Sequence, residues 1–187
     1  MKKILLSIIL FGFTMVNHAQ DASVEKSIFG IQTGLVGIWA HHEAKLNNSI
    51  ALRSEIGLDA GFSRGIFSEQ LLFIMAPTIT LEPRWYYNLE RRAGKNKRID
   101  GNSGNFISLK TSYVPDWFVI SNFDNVGVIE HIELIPTYGI KRNIGKHWQY
   151  EAGFGIGPRL VLYKQYGFDS NNIEIAGNLH VRIGYRF

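Results

Sequence analysis

Alternation of apolar and polar residues with a period of two constrains the fold of this chain more than any other feature. It dominates from residue 28 onward and is clearest at 173–187. One face there carries Ile173, Ile175, Gly177, Leu179, Val181, Ile183, Tyr185 and Phe187, and the other carries Glu174, Ala176, Asn178, His180, Arg182, Gly184 and Arg186. Because successive side chains of a strand point to opposite sides, the pattern predicts a strand with one apolar and one polar face.

The same split recurs along most of the chain without helical segments between. It covers, approximately, 28–42, 49–62, 74–89, 104–114, 127–141 and 147–162. Strands in a row predict an antiparallel sheet, either a sandwich or a closed barrel. These segments and 173–187 make seven strands, whereas bacterial barrels have even strand numbers. We therefore divide the first segment near Gly34–Gly37 into strands around 25–34 and 36–46, which brings the total to eight. We therefore expect an all-β, antiparallel up-and-down transmembrane β-barrel of eight strands, with ten as the alternative.

Four prolines fall inside these predicted strands: Pro77, Pro83, Pro136 and Pro158. Each lacks the N–H that a neighbouring strand would accept. A closed barrel has no edge strand to host them, so we expect them at bulges or strand ends.

Periodicity alone cannot distinguish a soluble barrel with apolar residues inside from a membrane barrel with apolar residues facing lipid. Three features favour the membrane. Many segments are long enough for tilted spanning strands, which need about 9–11 residues. The apolar faces carry almost no charge. Aromatic residues cluster where strands end, as an interfacial girdle requires. The predicted girdle residues are Trp85, Tyr87, Trp148, Tyr150, Tyr185 and Phe187.

The first residues have the three-part pattern of a secretory signal peptide. Lys2 and Lys3 precede an apolar run from Ile4 to Val16, and a short polar stretch follows before Gln20. The run is short for a spanning helix, which needs about 20 apolar residues. We therefore predict a signal peptide over 1–19 and a barrel domain over 20–187. The chain contains no Cys, which excludes lipoprotein anchoring and disulfides.

The ending Val181–Phe187 resembles the terminal signal of Gram-negative outer-membrane β-barrels. Together with the leader and the strand rhythm, it resembles a small barrel of the OmpA/OmpX type. The blocks Pro83–Asn88 and Ser108–Tyr113 are also similar to an uncharacterised outer-membrane β-barrel family with no assigned reaction. The resemblance implies location in the outer membrane, contact with its lipid and lipopolysaccharide, and recognition of the C-terminal strand by the outer-membrane assembly machinery.

The polar faces would then point into a narrow lumen, which an eight-stranded barrel fills with side chains. The predicted inward cations are Arg53, Arg84, Lys110, Lys141, Arg182 and Arg186, and the anions are Glu55, Asp59, Glu82, Glu133, Glu151 and Glu174. Buried charges persist only when paired, so this balanced set predicts an ion-pair network that closes the lumen. A structural or interaction role follows. A lipid A-modifying or lipid-binding barrel and a narrow passive channel are the alternatives.

Two connections stand out. Glu90–Ser103 contains Arg91, Arg92, Lys95, Lys97 and Arg98, which suit either a solvated flexible turn or an anion-binding loop. Strand parity places this loop on the periplasmic side, so its partner would be anionic and periplasmic. Val114–Val126 is rich in apolar residues and suits either an extension of the strands or a docking patch.

Other chemistry has little support in the sequence. No GxSxG elbow or HExxH pair occurs, so we expect no enzyme, cofactor or metal. His131 and His180 should point inward as hydrogen-bonded residues, whereas His41 and His42 should point to opposite faces. Gly153, Gly155 and Gly157 lie within an alternating strand, which does not suit a nucleotide loop. The formal net charge of +4 gives no reason to expect a nucleic-acid partner.

Overall fold

The computed structural model describes residues 22–35, 37–64 and 71–187, so the expected signal peptide at 1–19 lies outside the described residues. The strands are β1 (Ser27–Gly34), β2 (Gly37–Lys45), β3 (Ile50–Arg64), β4 (Leu71–Trp85), β5 (Asn105–Val114), β6 (Ile120–Ser121), β7 (His131–Ile144), β8 (Trp148–Val161) and β9 (Asn172–Arg186). One short helix, α1 (Leu89–Ala93), and two 3-10 turns, Asp100–Asn102 and Tyr163–Tyr166, lie in the connections.

The sheet closes on itself. Strand β1 pairs with β2 on one side and with β9 on the other, and all neighbours are antiparallel. The closed ring has eight strands in the order β1-β2-β3-β4-β5-β7-β8-β9, and two-residue β6 adds to β4. The prediction of an all-β, eight-stranded antiparallel ring is therefore confirmed, including the division of the first segment at residues 34–37.

We call the two ends of the ring the terminal end and the loop end. The terminal end holds the start of β1, the end of β9 and the connections 46–49, 86–104 and 145–147. The loop end holds the remaining connections, of which 115–130 and 162–171 lie in the described part of the chain. Four residues, 46–49, join β2 to β3, and three residues, 145–147, join β7 to β8.

Several strand boundaries differ from expectation. Strand β4 stops at Trp85, four residues earlier than the alternation suggests, and the chain then leaves the ring through α1. Pairing of β3 with β4 continues to Arg64 and Leu71, beyond the alternating segments 49–62 and 74–89. Strand β7 begins at His131, four residues later than the alternating segment 127–141.

The two faces of the ring have opposite character. Inward positions such as Gln32, Arg53 and Glu151 are at most 1% exposed, whereas outward Leu179 is 80% exposed. Outward positions are mostly apolar along β8 and β9, and the charged positions of the same strands face inward. The alternation that defines the strands therefore places apolar side chains outside the ring and most strand charges inside it.

Three of the four strand prolines lie beside interruptions of a hydrogen-bonded ladder, and Pro77 lies beyond the end of one, where we expected bulges or strand ends. The β4–β5 ladder breaks between Leu81 and Arg84, beside Pro83, and resumes in the same register. The β7–β8 ladder breaks likewise between Glu133 and Thr137, which leaves Pro136 and Pro158 unpaired there. Pro77 lies beyond the end of the β4–β5 ladder. The missing N–H of proline thus explains why pairing is lost without a change of register.

A small apolar core closes the terminal end. It consists of Val24, Ala51, Tyr86, Leu89 and Phe106, all at most 3% exposed. Phe106 is an apolar residue on the otherwise polar face of β5, and it points inward together with Ser108 and Lys110. A Cβ at the facing Gly139 would lie 2.2 Å from Cζ of Phe106, so only glycine leaves room for this ring.

No helix among the described residues is long and apolar enough to cross a bilayer.

Candidate functional site

Four cations and four anions form a buried ion-pair cluster in the terminal half of the ring. Its members are Arg53, Arg84, Lys141 and Arg182 with Glu43, Glu55, Glu82 and Glu151, and none is more than 4% exposed. They come from strands around the ring, because each strand presents alternate residues inward. The equal numbers of opposite charges meet the condition under which buried ions are tolerated.

Glu43 contacts the largest variety of groups in this cluster. Its Oε1 accepts from Arg53 Nη1 at 2.9 Å and from Lys141 Nζ at 2.7 Å. Its Oε2 accepts from Asn102 Nδ2 at 2.7 Å and from the Tyr86 hydroxyl at 3.1 Å. Sequence reasoning missed Glu43, although its alternation with Trp39 and His41 on β2 was a usable signal.

Arg84 forms the second part of the cluster. It donates to both carboxylate oxygens of Glu151, at 2.7 and 2.8 Å, and to Glu82 at 2.7 Å. Ser108 Oγ donates to the other oxygen of Glu82 at 2.5 Å, and Nε2 of His180 lies 3.2 Å from Glu151. The forked guanidinium suits this bidentate pairing, which ties β4 to β8 across the ring interior.

The third part of the cluster leads towards the loop end. Arg53 donates to Glu55, and Arg182 Nη1 donates to the same carboxylate at 2.9 Å. The guanidinium of Arg182 lies 4.0 Å above the Trp39 ring, whose indole N–H donates to Asp59 at 2.5 Å. Arg182 therefore combines an ion pair with a cation–π contact and separates Glu55 from the space towards the loop end.

That space is a cavity of about 420 Å³ in the loop half of the ring. Its walls include Asp59, Lys110, Glu133, Arg159 and His180. Glu133 pairs with Arg159 at 2.6 Å, whereas Lys110 is 8% exposed and has no hydrogen bond or ion pair among the residues described. The ring interior is thus filled in its terminal half and hollow in its loop half.

The predicted lumen charges divide among three places. Arg53, Glu55, Glu82, Arg84, Lys141, Glu151 and Arg182 belong to the buried cluster, and Asp59, Lys110 and Glu133 line the cavity. Glu174 is only partly buried and stands opposite Arg159 in the β8–β9 register. Arg186 lies at the terminal end, where it pairs with Glu25 at 3.0 Å and with Asp100 at 3.4 Å.

Sequence reasoning also missed several partners of these charges. They include Arg159, which is half-exposed, and the buried neutral residues Gln32, Tyr86 and Asn102. Tyr86 and Asn102 arrive from the connection 86–104, and Asn102 lies outside the period-two pattern. His41 and His42 do point to opposite faces, with His41 inside and His42 stacked on Phe29 at 4.1 Å.

The six aromatic residues predicted as a girdle lie outside the ring near the terminal end. Each of Trp85, Tyr87, Trp148, Tyr150, Tyr185 and Phe187 is at least 38% exposed. Trp148 contacts Tyr185 edge-on at 5.6 Å, and Tyr185 contacts Phe187 at 5.5 Å. Tyr138, which the sequence analysis did not select, joins them through a 3.2 Å hydroxyl contact with Tyr87. We call these seven residues the aromatic belt.

The cationic connection is folded, so the interpretation as a simple flexible turn is wrong. Arg92 donates to the carbonyl of Arg98, and Arg98 donates to Asp100 at 2.7 Å and to the carbonyl of Gly145. The Arg98 hydrogen bond holds the pKa of Asp100 below its usual range. Arg91, Lys95 and Lys97 remain exposed. The connection therefore forms a cap over the terminal end, stabilised by its own ion pair.

The connection after β5 carries exposed apolar side chains at the loop end. Trp117 is 63% exposed, and Phe118 and Ile120 are each 50% exposed. Its strand β6 pairs with β4, and Tyr166 of the neighbouring connection donates to Asp116 at 2.7 Å. The connection is therefore ordered against its neighbours, and its role as a docking patch stays a prediction.

The described residues contain no group of three or more His, Asp or Glu side chains arranged to hold a metal ion. The chain matches no protein-family model, and comparisons with curated proteins and with solved structures found no significant similarity. The resemblance to small outer-membrane barrels thus stays a prediction from the sequence.

Proposed function

We propose that the protein is an integral outer-membrane β-barrel with a structural or interaction role, whose lumen is closed by the buried ion-pair cluster. The observation that carries this proposal is the distribution of side chains across the wall. Ile175, Leu179 and Ile156 are 82%, 80% and 67% exposed on the outside, while Arg53 and Glu151 are fully buried inside. Soluble monomers rarely expose contiguous apolar surface of this kind, whereas lipid requires it.

The closed ring supports the same proposal. In lipid every backbone N–H and C=O must find a partner within the protein, and a closed sheet has no open edge. The aromatic belt supplies residues suited to the headgroup level at one rim. The outer-membrane location itself is proposed from the sequence features of 1–19 and Val181–Phe187, with lipid, lipopolysaccharide and the assembly machinery as partners.

The cluster favours a closed lumen over the passive channel considered as an alternative. Arg84, Glu151 and the neighbouring pairs fill the terminal half, and the apolar core with Phe106 closes its end. An ion would have to displace these pairs to pass. Planar-bilayer recordings should show no regular unitary conductance, and clear unitary steps would contradict the closed lumen.

Leu179→Arg tests the outward placement directly. At the bilayer midplane of a barrel a lone arginine costs about 2–4 kcal/mol, so folding into phospholipid vesicles should lose that much stability. The neighbouring Asn178→Ser is the control, because Asn178 faces the cavity and the change affects only two long hydrogen bonds, to Thr137 at 3.3 Å and to His180 at 3.4 Å. Urea titration of both variants in vesicles measures the difference. Equal tolerance at the two positions would contradict the membrane proposal.

A further inference from the structure

Two arginines on the outer flank of the terminal end have no carboxylate partner in the part of the chain that the structure describes. Arg142 occupies an outward position of β7, opposite Tyr150 in the β7–β8 register. It donates to the carbonyls of Gly104 and Lys141, both at 2.7 Å, and to Asn105 Oδ1 at 2.5 Å. Arg92 of α1 donates to the carbonyl of Arg98 from Nε at 3.2 Å and from Nη2 at 2.8 Å.

The fold holds these two guanidinium groups near each other. Asn105 accepts from Arg142 through its side-chain oxygen, and its backbone N–H donates to Asn88 Oδ1 at 2.8 Å. The carbonyl of Asn88 accepts the N–H of Arg92 at 3.0 Å, so α1 is fastened beside the start of β5. Burial and, after it, the charge of Arg142 lower the pKa of Arg92. Two like charges held this way are unfavourable until an anion joins them.

Unused donors remain on both side chains. A guanidinium carries five N–H groups in a fixed fork that suits the oxygens of a phosphate. The hydrogen bonds above use three donors of Arg142 and two of Arg92. Among the residues described, no carboxylate lies within ion-pair distance of either. Nearby Arg98 and Arg186 differ, since each pairs with Asp100.

The location selects a lipid as the source of the anion. Asn105 Nδ2 donates to the hydroxyls of Tyr87 and Tyr138, at 3.2 and 3.0 Å, so the arginine pair adjoins the aromatic belt. Aromatic residues of this kind lie at the headgroup level of a bilayer. A phosphate at that depth belongs to a lipid headgroup, whereas free phosphate is not enriched at the outer surface of the ring.

We propose that Arg92 and Arg142 bind the phosphate of an anionic glycerophospholipid at the level of the aromatic belt. This inference rests on the proposed membrane function and names a lipid class and a site for it. It also replaces the periplasmic anionic partner expected for the cationic connection with a lipid. Arg92 belongs to that predicted set, and Arg142 lies outside it.

Native mass spectrometry of detergent-solubilised protein with equimolar phosphatidylglycerol and phosphatidylcholine tests the site. The wild type should retain phosphatidylglycerol preferentially. A cation near anionic lipid contributes about 1 kcal/mol, so Arg92→Gln should lower this preference about fivefold and the double variant with Arg142→Gln about twenty-five-fold. Arg91→Gln removes the same charge from an exposed position of α1 and should lower the preference much less than Arg92→Gln does.

Several outcomes would overturn the inference. Undiminished preference in the double variant would do so, as would an equal loss in Arg91→Gln, which indicates diffuse attraction. Displacement by equimolar glycerol phosphate would identify free phosphate rather than lipid as the ligand. Arg142→Lys keeps the charge and serves as the control for Arg142→Gln. Heat-dependent gel mobility reports the folded fraction of both variants, and so shows whether the lost preference for phosphatidylglycerol in Arg142→Gln reflects misfolding.

Failure of the proposed function is distinguishable from failure of this site. Quenching of tryptophan fluorescence by brominated lipid measures insertion of the wild type into vesicles. Insertion without preference for phosphatidylglycerol removes the lipid site alone, whereas absence of insertion removes the membrane proposal and this inference with it.

Discussion

The two halves of the ring interior differ although the same strands build both. In the terminal half every member of the buried cluster has an oppositely charged partner, and Glu43 has three. In the loop half Lys110 has no direct partner among the described residues, and a cavity of about 420 Å³ remains. The pleat decides which residues point inward, but side-chain length and pairing decide whether the interior is filled.

Two glycines show the same contrast in packing. At Gly139 in the terminal half, a Cβ would lie 2.2 Å from the Phe106 ring. At Gly61, which lines the cavity, a Cβ would meet, among the described residues, only a methyl of Ile74, at 3.3 Å. The terminal half is therefore expected to respond strongly to small changes, and the loop half is expected to absorb them.

The largest difference should come from removing one charge in each half. Glu43→Gln leaves Arg53 and Lys141 buried with one anion fewer, and breaking a buried pair typically costs about 3–5 kcal/mol. Glu133→Gln breaks the pair with Arg159, which is 36% exposed at the side chain, and should cost at most about 1 kcal/mol. Urea titration in vesicles gives both free energies of unfolding, and equal losses would contradict the contrast between the halves.

A smaller difference should come from adding one methyl group in each half. Gly139→Ala forces Phe106 or the β7 backbone to move, and overpacking of this kind costs about 1–3 kcal/mol. Gly61→Ala should change the free energy of unfolding by no more than about 0.5 kcal/mol, because the cavity accepts the methyl. The same titrations measure the two variants. A harmless Gly139→Ala would show that the terminal half is not tightly packed.

The sequence predicts the wall of this molecule better than its interior contacts. Alternation assigns Leu179 and Arg182 to opposite faces of β9, because successive side chains of a strand point to opposite sides. The pairing of Glu43 with Lys141 joins residues 98 positions apart, and it depends on how the ring closes. Asn102 reaches Glu43 from a connection that the sequence describes only as polar and cationic. A non-periodic segment therefore supplied Asn102, whereas the missed Glu43 lies on an alternating strand.

The smallest expected effect concerns the cap of the terminal end. Its ion pair, Arg98–Asp100, is exposed, whereas the ion-pair cluster is buried. The Arg98 hydrogen bond lowers the pKa of Asp100 relative to the unfolded chain, where Asp titrates near pH 3.9. The pair therefore stabilises the fold above about pH 4, and this contribution is lost as the pH falls through the lower folded pKa. Because the pair is exposed, we expect no more than about 1 kcal/mol.

Thermal unfolding of the wild type and Asp100→Asn across this range measures the contribution. The two melting temperatures should differ near neutral pH and converge on acidification. Asp124→Asn removes the same charge from the loop end, where Asp124 has no hydrogen bond or ion pair among the described residues, so its melting temperature should equal that of the wild type near neutral pH. A difference between the wild type and Asp100→Asn that persists unchanged at acid pH would show that Asp100 stabilises the cap without its charge.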